Sequence, residues 1–444
     1  TSSYKTTITP GDIVLHNVAI CFEYEPVFTS LDQWTGRVVN VEMVANADRK
    51  VRFRDIAEGY RVFPMGIAFE GDGYLQYDVK AGMTGCDLTI NGPLSVGGNV
   101  IIAMEDGADR TLTLNGPVTG AGHLQQTSTY AAKLTTVFNA MSASPLAKFS
   151  ATAGTVKAVV GGALPVTNSI SSGVHCDKLV LASTHVLSSF QLNDGVLEIA
   201  DGANVTVPSN DGKFLGGQWN QTGGTITFEH NTHVGQEDSQ TTGSLVMSLY
   251  GDGDPVLNTD DFLFYKHGAD FVSMLNLDAG VMTAAAIVVS GQRVANCGHT
   301  YLNFNGGTLR HVNADAKSAF FRSGAYTPNA VTVFGGGATI DVPEGKTNAF
   351  CETYDSCGAE SVIFQSAPGK CITAVNLPGD MPLTGYSGAE ELAVSGGDGA
   401  AFSAALDVTN GVLRGVVVTC PGWNYANAPT VTVKDPSGIV HTCG

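Results

Sequence analysis

Charge is what this chain has least of. Only 14% of its 444 residues are Asp, Glu, Lys or Arg. Basic residues are the scarcer sign, 23 against 41 acidic, for a net charge of −18. Nucleic-acid recognition needs a basic footprint, so this balance argues against it. No apolar run is long enough to span a bilayer, so direct membrane insertion is not expected. There is no Cys-x-x-Cys pair among the nine cysteines, and no zinc-type spacing. No phosphate loop occurs, nor a Gly-x-Ser-x-Gly elbow between a strand and a helix. The first residues, Thr1-Ser2-Ser3-Tyr4-Lys5, are polar and carry no signal peptide. A processed N-terminus would look like this, as would a cytosolic start; the composition favours the former.

What is abundant is glycine, 54 residues, together with Thr and Val. Few charges and many glycines point to an all-β secreted protein. One phrase recurs: two apolar residues flanking a polar one, a Gly-containing corner, then another apolar residue. It appears as Phe190-Gln191-Leu192 before Gly195 and as Trp219-Asn220-Gln221 before Gly224. It returns as Leu275-Asn276-Leu277 before Gly280, as Leu302-Asn303-Phe304 before Gly307, and more loosely as Val333-Phe334 before Gly337. The steps between those glycines are 29, 56, 27 and 30, and Gly253 sits where a missing copy would fall. The alternation is a strand pattern. The glycines allow a positive φ at a corner. A unit of about 28 residues cannot bury a core alone, so it reads as one coil of a β-solenoid. A tighter repeat precedes it: Leu88-Thr89-Ile90-Asn91-Gly92-Pro93-Leu94 is echoed by Leu112-Thr113-Leu114-Asn115-Gly116-Pro117-Val118, 24 residues on.

The expected organisation is an N-terminal β cap over 1–75 and solenoid repeats over 76–345. A Cys-containing connector follows over 346–375, then a C-terminal Gly-rich β module over 376–444. A bare terminal coil exposes core and strand edge, which is why a cap is expected. The Ala-rich stretch from 130 to 150 reads as a short helix or lateral loop.

Leu112-Thr113-Leu114-Asn115-Gly116 followed by Gly120-Ala121-Gly122-His123-Leu124 resembles the autotransporter-associated β-strand repeat, as does Leu302 to Leu309. The resemblance covers about 80–345 and implies a large secreted bacterial surface protein built as a β-solenoid. The period is longer than the family's compact unit, and no outer-membrane barrel follows in this sequence, so self-translocation is not implied. The stretch from Gly396 through Leu406, Gly411 to Val418, Pro421-Gly422-Trp423-Asn424-Tyr425 and Ala428 to Val433 resembles a small β module of bacterial secreted and phage structural proteins. That module implies no chemistry.

The densest acidic stretch is Asp252 and Asp254 with Asp260 and Asp261. Aspartates at this spacing are hard oxygen ligands of the kind calcium takes, although the Glu at position 12 of the helix-loop-helix loop is missing. A solvated corner is the preferred reading. His230 and His233 are three apart, whereas zinc on a strand favours a spacing of two; Lys266-His267 beside Asp270 is no stronger. Trp219, Tyr250, Phe262, Phe264 and Tyr265 suit sugar stacking or, more commonly, a core. Cys86, Cys176 and Cys297 read as buried apolar residues. Cys351 and Cys357 are six apart and are expected to form a disulfide, with Cys420 and Cys443 as a second candidate pair.

No convergent catalytic set is visible, so the expected function is a non-enzymatic structural or adhesive protein of a bacterial surface or extracellular matrix. A carbohydrate-active β-helix enzyme and a phage tail fibre or spike are the rivals. The partners expected are a second copy of the chain, in a homo-oligomer or filament, or a surface anchor protein, with glycans as ligands.

Overall fold

A computed structural model describes residues 11–15, 20–23, 31–42, 50–54, 62–78, 87–104, 109–127, 134–141, 146–161, 178–187, 190–192, 195–208, 211–234, 245–265, 272–290, 299–312, 319–323, 330–342, 344, 349–351, 364–366, 370–372, 374–386, 390–409 and 411–444. Among them there is no α-helix; the one helical turn is the 3-10 segment Leu31–Trp34. Among the described residues no helix is long and apolar enough to cross a membrane. The protein is an all-β solenoid of parallel stacked sheets. It divides into two compact units, residues 1–191 with 203–209, and residues 192–202 with 210–444.

In the first unit each coil has three sides. One side stacks Ile13–Leu15, Val38–Val41, Gly66–Phe69, Leu94–Val96 and Val118–Thr119; the second runs from Ile20–Glu23 to Lys148–Ala151. The third includes Val62–Phe63, Leu88–Ile90, Arg110–Leu114, Leu134–Phe138 and Thr155–Ala158. All these pairings are parallel. The stretch expected to cap the solenoid is itself built as coils, since Gly66–Phe69 pairs in parallel with Leu94–Val96 across position 75. The Ala-rich stretch forms strands, Leu134–Phe138 and Lys148–Ala151, on two sides of one coil. Burial alternates along each, because Leu134, Phe138, Phe149 and Ala151 fill the interior while their neighbours face out.

The 24-residue echo is the stacking register: Leu112 pairs with Leu88 and Leu114 with Ile90. A third copy continues it, since Leu114 pairs with Phe138. The corner asparagines form a ladder, with Asn115 Nδ2 donating to Asn91 Oδ1 at 3.0 Å and Asn139 Nδ2 to Asn115 Oδ1 at 2.9 Å. The glycine beside them is there for closeness rather than for a positive φ. A Cβ on Gly116 would lie 2.1 Å from the Gly92 carbonyl oxygen of the coil below.

The second unit repeats the three-sided plan. Its first side stacks Val196–Ile199 on the start of Gly217–Phe228, then the start of Leu245–Asn258, Val272–Leu277, His299–Phe304, Ala330–Val333 and Phe364–Ser366. Gly253 marks a true coil, pairing with Gly223. Two phrases of the repeat shift. Leu197, not Phe190, is the counterpart of Trp219, and Val331, not Val333, is the counterpart of Leu302. The interior is apolar and aromatic: Phe214, Trp219, Phe228, Phe262, Phe264 and Phe304 are fully buried. Aromatic residues of this size dominate core energetics.

The C-terminal segment of the same unit is antiparallel. Ala400–Thr409 and Val412–Trp423 form a hairpin, and Leu392–Ser395, Thr430–Lys434 and Val440–Cys443 form a three-stranded sheet. The Pro-Gly-Trp-Asn-Tyr turn ends the hairpin, with positive φ at Gly422 and Asn424.

Candidate functional site

Side chains along the first side of the second unit alternate inward and outward, and the register lines the outward ones into columns. One column runs Glu198, Asn220, Ser248, Asn276, Asn303, Thr332, Gln365. Outward polar residues on a strand ordinarily meet water. Here Ser248, Asn276, Asn303 and Thr332 are buried, because the C-terminal hairpin lies over this face.

The contact has a polar centre and an apolar flank. Asn276 Nδ2 donates to Ser248 Oγ at 3.0 Å and to Ser403 Oγ of the hairpin at 2.9 Å. Asn303 Nδ2 donates to Asn276 Oδ1 at 2.9 Å, and Ser403 Oγ lies 2.7 Å from Thr419 Oγ1. Beside this chain Met274 and Phe334 of the coils pack with Cys420 and Trp423 of the hairpin, with Val246, Tyr301 and Ala330 against them. The rings of Tyr301 and Trp423 meet edge to face at 5.7 Å.

A titratable group sits at the edge of this contact. Leu249 pairs with Leu277, which sets Tyr250 beside Asp278 on neighbouring coils. Burial pushes the Asp278 carboxyl up to about 8, opposed by its hydrogen bond with the Asn305 side chain. Desolvation disfavours the charged form of any acid, and the same cause raises the Tyr250 hydroxyl, helped by Glu198, Asp407 and Asp278. Burial also raises the Cys420 thiol, and Asp278 adds to that. A carboxyl held up at about 8 keeps its proton at neutral pH, where a carboxylic acid donates rather than only accepts.

The residues singled out by sequence fall elsewhere. Asp252 and Asp254 lie at an exposed corner of Leu245–Asn258, and Asp254 has a positive φ of 46°. Asp260 is exposed just before Asp261–Tyr265. Among the described residues no group of three or more His, Cys, Asp or Glu side chains is arranged to hold a metal ion. His233 instead has its Nε2 3.2 Å from Asp211 Oδ2. Trp219, Phe262 and Phe264 are interior, and Tyr250 is 8% exposed.

The Cys420–Cys443 pairing is overturned. Both are free thiols, because they serve different apolar clusters. Cys420 packs with Met274, Phe334 and Trp423, and Cys443 packs against Met381, Tyr386, Leu413 and Val433. The Cys351–Cys357 pairing, Cys86, Cys176, Cys297, and the Lys266-His267-Asp270 set lie outside the described residues.

Sequence reasoning missed Asn276 and Asp278, although both stand in the repeat phrase. The signal was there for the first: Asn276 and Asn303 occupy the same slot 27 residues apart. Nothing in the sequence marks Asp278, whose raised carboxyl comes from burial on the folded coils. No family model, curated protein or solved structure matches this chain.

Proposed function

We propose that this chain is a structural or adhesive β-solenoid protein of a bacterial surface or extracellular matrix. The observation that carries the reading is the fate of the outward face of the second unit. Its polar column is hydrogen-bonded to Ser403 and covered by the chain's own C-terminal hairpin, so these residues serve to stiffen and seal the coils. Interiors filled with Phe, Leu and Val on successive coils add to that. The stacked Leu112–Gly116 and Leu302–Leu309 phrases are consistent with the autotransporter-associated repeat and with its secreted, cell-surface setting. A surface anchor or a second copy is the partner this role calls for. Negative-stain electron microscopy of purified protein tests it: rods or filaments are expected, and compact particles with glycan turnover would overturn it.

One observation favours a carbohydrate-active enzyme as the second reading. Asp278 keeps its proton near neutral pH, as the general acid of a glycoside hydrolase must, with Glu198 and Asp407 acting on the adjacent Tyr250. A polysaccharide panel with product detection separates the two. Cleavage by the native protein that is abolished in Asp278→Asn establishes the enzyme. Glycan binding without cleavage, unchanged in that variant, supports adhesion. Calcium at Asp252, Asp254, Asp260 and Asp261 remains part of the adhesive proposal, and calorimetric titration with the metal tests it.

A further inference from the structure

The outward face on the second side of the first unit gathers positive charge, in a chain whose net charge is −18. The strand Lys50–Arg54 alternates: Val51 and Phe53 fill the interior, and Lys50, Arg52 and Arg54 take the outward positions. Glu23 and Asp78 stand in register with Arg54 on the two neighbouring strands, so the local excess of charge lies toward Lys50 and Arg52. Behind Lys50 the parallel register sets Tyr74, Ile101, Gln125 and Ser150 in one column. The column behind Arg52 closes at once, because its next members, Gln76 and Ala103, are buried.

The open column runs from a cation through an apolar strip to hydrogen-bonding groups. Tyr74 is 40% exposed, the one exposed aromatic side chain among the described residues. Lys50 Nζ lies 5.5 Å from the centre of its ring. Ile101, half-buried, extends the strip. Gln125 and Ser150 follow with an amide and a hydroxyl, and His123 Nε2 lies 2.7 Å from Ser150 Oγ. Lys148 is in register with His123 and puts a second cation at the far end. Lys50 and Lys148 are four strand spacings apart, about 19 Å. Asp72, two residues before Tyr74, is engaged by the chain itself, since its Oδ1 accepts from the Asn99 N–H at 2.7 Å.

We propose that this face is a binding site for an acidic polysaccharide in which uronates are separated by neutral sugars. The Tyr74 ring and Ile101 take the C–H face of a pyranose, and Gln125, His123 and Ser150 take its hydroxyls, the division of labour of an apolar site with a few placed polar groups. The lysines at the two ends take carboxylates. The same spacing argues against nucleic acid. Phosphates follow one another about every 3.4 Å along a strand, and the middle of this column carries no charge to meet them. The inference rests on the adhesive reading of the chain and names its ligand.

Calorimetric titration of the full chain with hyaluronan oligosaccharides tests it, with dextran as the neutral glycan and single-stranded DNA as the phosphate polymer. Hyaluronan is expected to bind about tenfold or more tighter than either, and to weaken as salt screens the exposed lysines. Tyr74→Ser should lower the affinity about tenfold, and Tyr74→Phe should keep most of it. Lys50→Gln and Lys148→Gln should each weaken binding, whereas Lys213→Gln, at an exposed position of the second unit, should not. If Tyr74→Ser does not fold, the two lysine variants decide. Absence of hyaluronan binding, equal binding of dextran or DNA, or affinity unchanged in Tyr74→Ser and in both lysine variants overturns the proposal. Rods in electron micrographs would still be seen in each of those cases, so failure of this site is distinguishable from failure of the structural reading.

Discussion

Asn276 Nδ2 lies 2.9 Å from Ser403 Oγ, 127 positions further along the chain, and both residues are buried. One amide thus ties a repeat coil to a segment that does not carry the repeat. The same amide also reaches Ser248 at 3.0 Å and accepts from Asn303 at 2.9 Å. It sits where the ladder along the solenoid crosses the bond to the hairpin.

Replacing it should cost accordingly. Asn276→Leu removes the acceptor of Asn303 and the donor to Ser248 and Ser403; Ser403 keeps Thr419, while Asn303 and Ser248 each lose a buried partner. A loss of about 1–3 kcal/mol per group left unsatisfied is expected. Asn115→Leu is the comparison, because its ladder to Asn91 and Asn139 is exposed and water can replace the lost bonds. Urea denaturation should show Asn276→Leu as clearly the more destabilised; equal losses would show that the hairpin bond contributes nothing beyond a surface ladder.

Two corner glycines separate stacking from backbone strain. Gly280 has φ +66°, and a Cβ there would lie 1.9 Å from the Pro255 carbonyl oxygen of the preceding coil. Gly337 has φ +84° and nothing within 4 Å. Gly337→Ala should cost about 1–2 kcal/mol, the left-handed penalty alone. Gly280→Ala should cost on the order of 3 kcal/mol or more, because the clash is with backbone that cannot turn aside. Thermal denaturation of the pair decides whether coil spacing or φ sets the glycine requirement at Gly280.

The repeat was legible because stacking copies it into sequence. Leu88 and Leu112 pair, as do Leu275 and Leu302, so a coil's length appears directly as a spacing. Periodicity was legible wherever a side faces outward to water, as in Arg110–Leu114. The first 75 residues hid their coils because the repeated phrase is not written there, although glycine corners such as Gly36 are present and Val39, Val41, Val51 and Phe53 alternate inward as elsewhere. What could not be read was the long-range fold-back. Ser403 and Asn276 belong to segments with different patterns, and no local rule joins them. Asp278 could not be singled out for the same reason, since its environment comes from Tyr250, Asn305 and Cys420, far apart in sequence.

Cys420 and Cys443 should behave as two independent thiols. Burial raises both above the ordinary thiol value, and Cys420 is 1% exposed. The thiolate is the reactive form, so a buried thiol of raised pKa is inert. Below neutral pH, alkylation of native protein should modify Cys443 ahead of Cys420, and denaturant should make both react. Peptide mapping under non-reducing conditions should recover no Cys420–Cys443 link; recovering one would mean the hairpin and the last strand are arranged differently.

The last turn should respond to acid. Asp435 is buried and accepts from Ser437 Oγ at 2.6 Å, from the backbone N–H groups of Ser437 and Ile439 at 2.8 and 2.9 Å, and lies 2.9 Å from His441 Nε2. The Ser437 hydroxyl, then His441, hold its carboxyl far below the usual carboxylate range, with burial opposing them. A depressed carboxyl contributes stability above its unfolded value, about 4, and that contribution is lost as pH falls toward the folded value. Amide exchange at Ser437 and Ile439 should therefore quicken in acid beyond the intrinsic change, while the hairpin, held by the Asn276–Ser403–Thr419 hydrogen bonds, keeps its protection. Asp435→Asn should show the quickened exchange at neutral pH as well, because a neutral amide accepts these donors more weakly. If acid loosens the hairpin and the turn together, the two sites are not separate, and the C-terminal segment opens as one body.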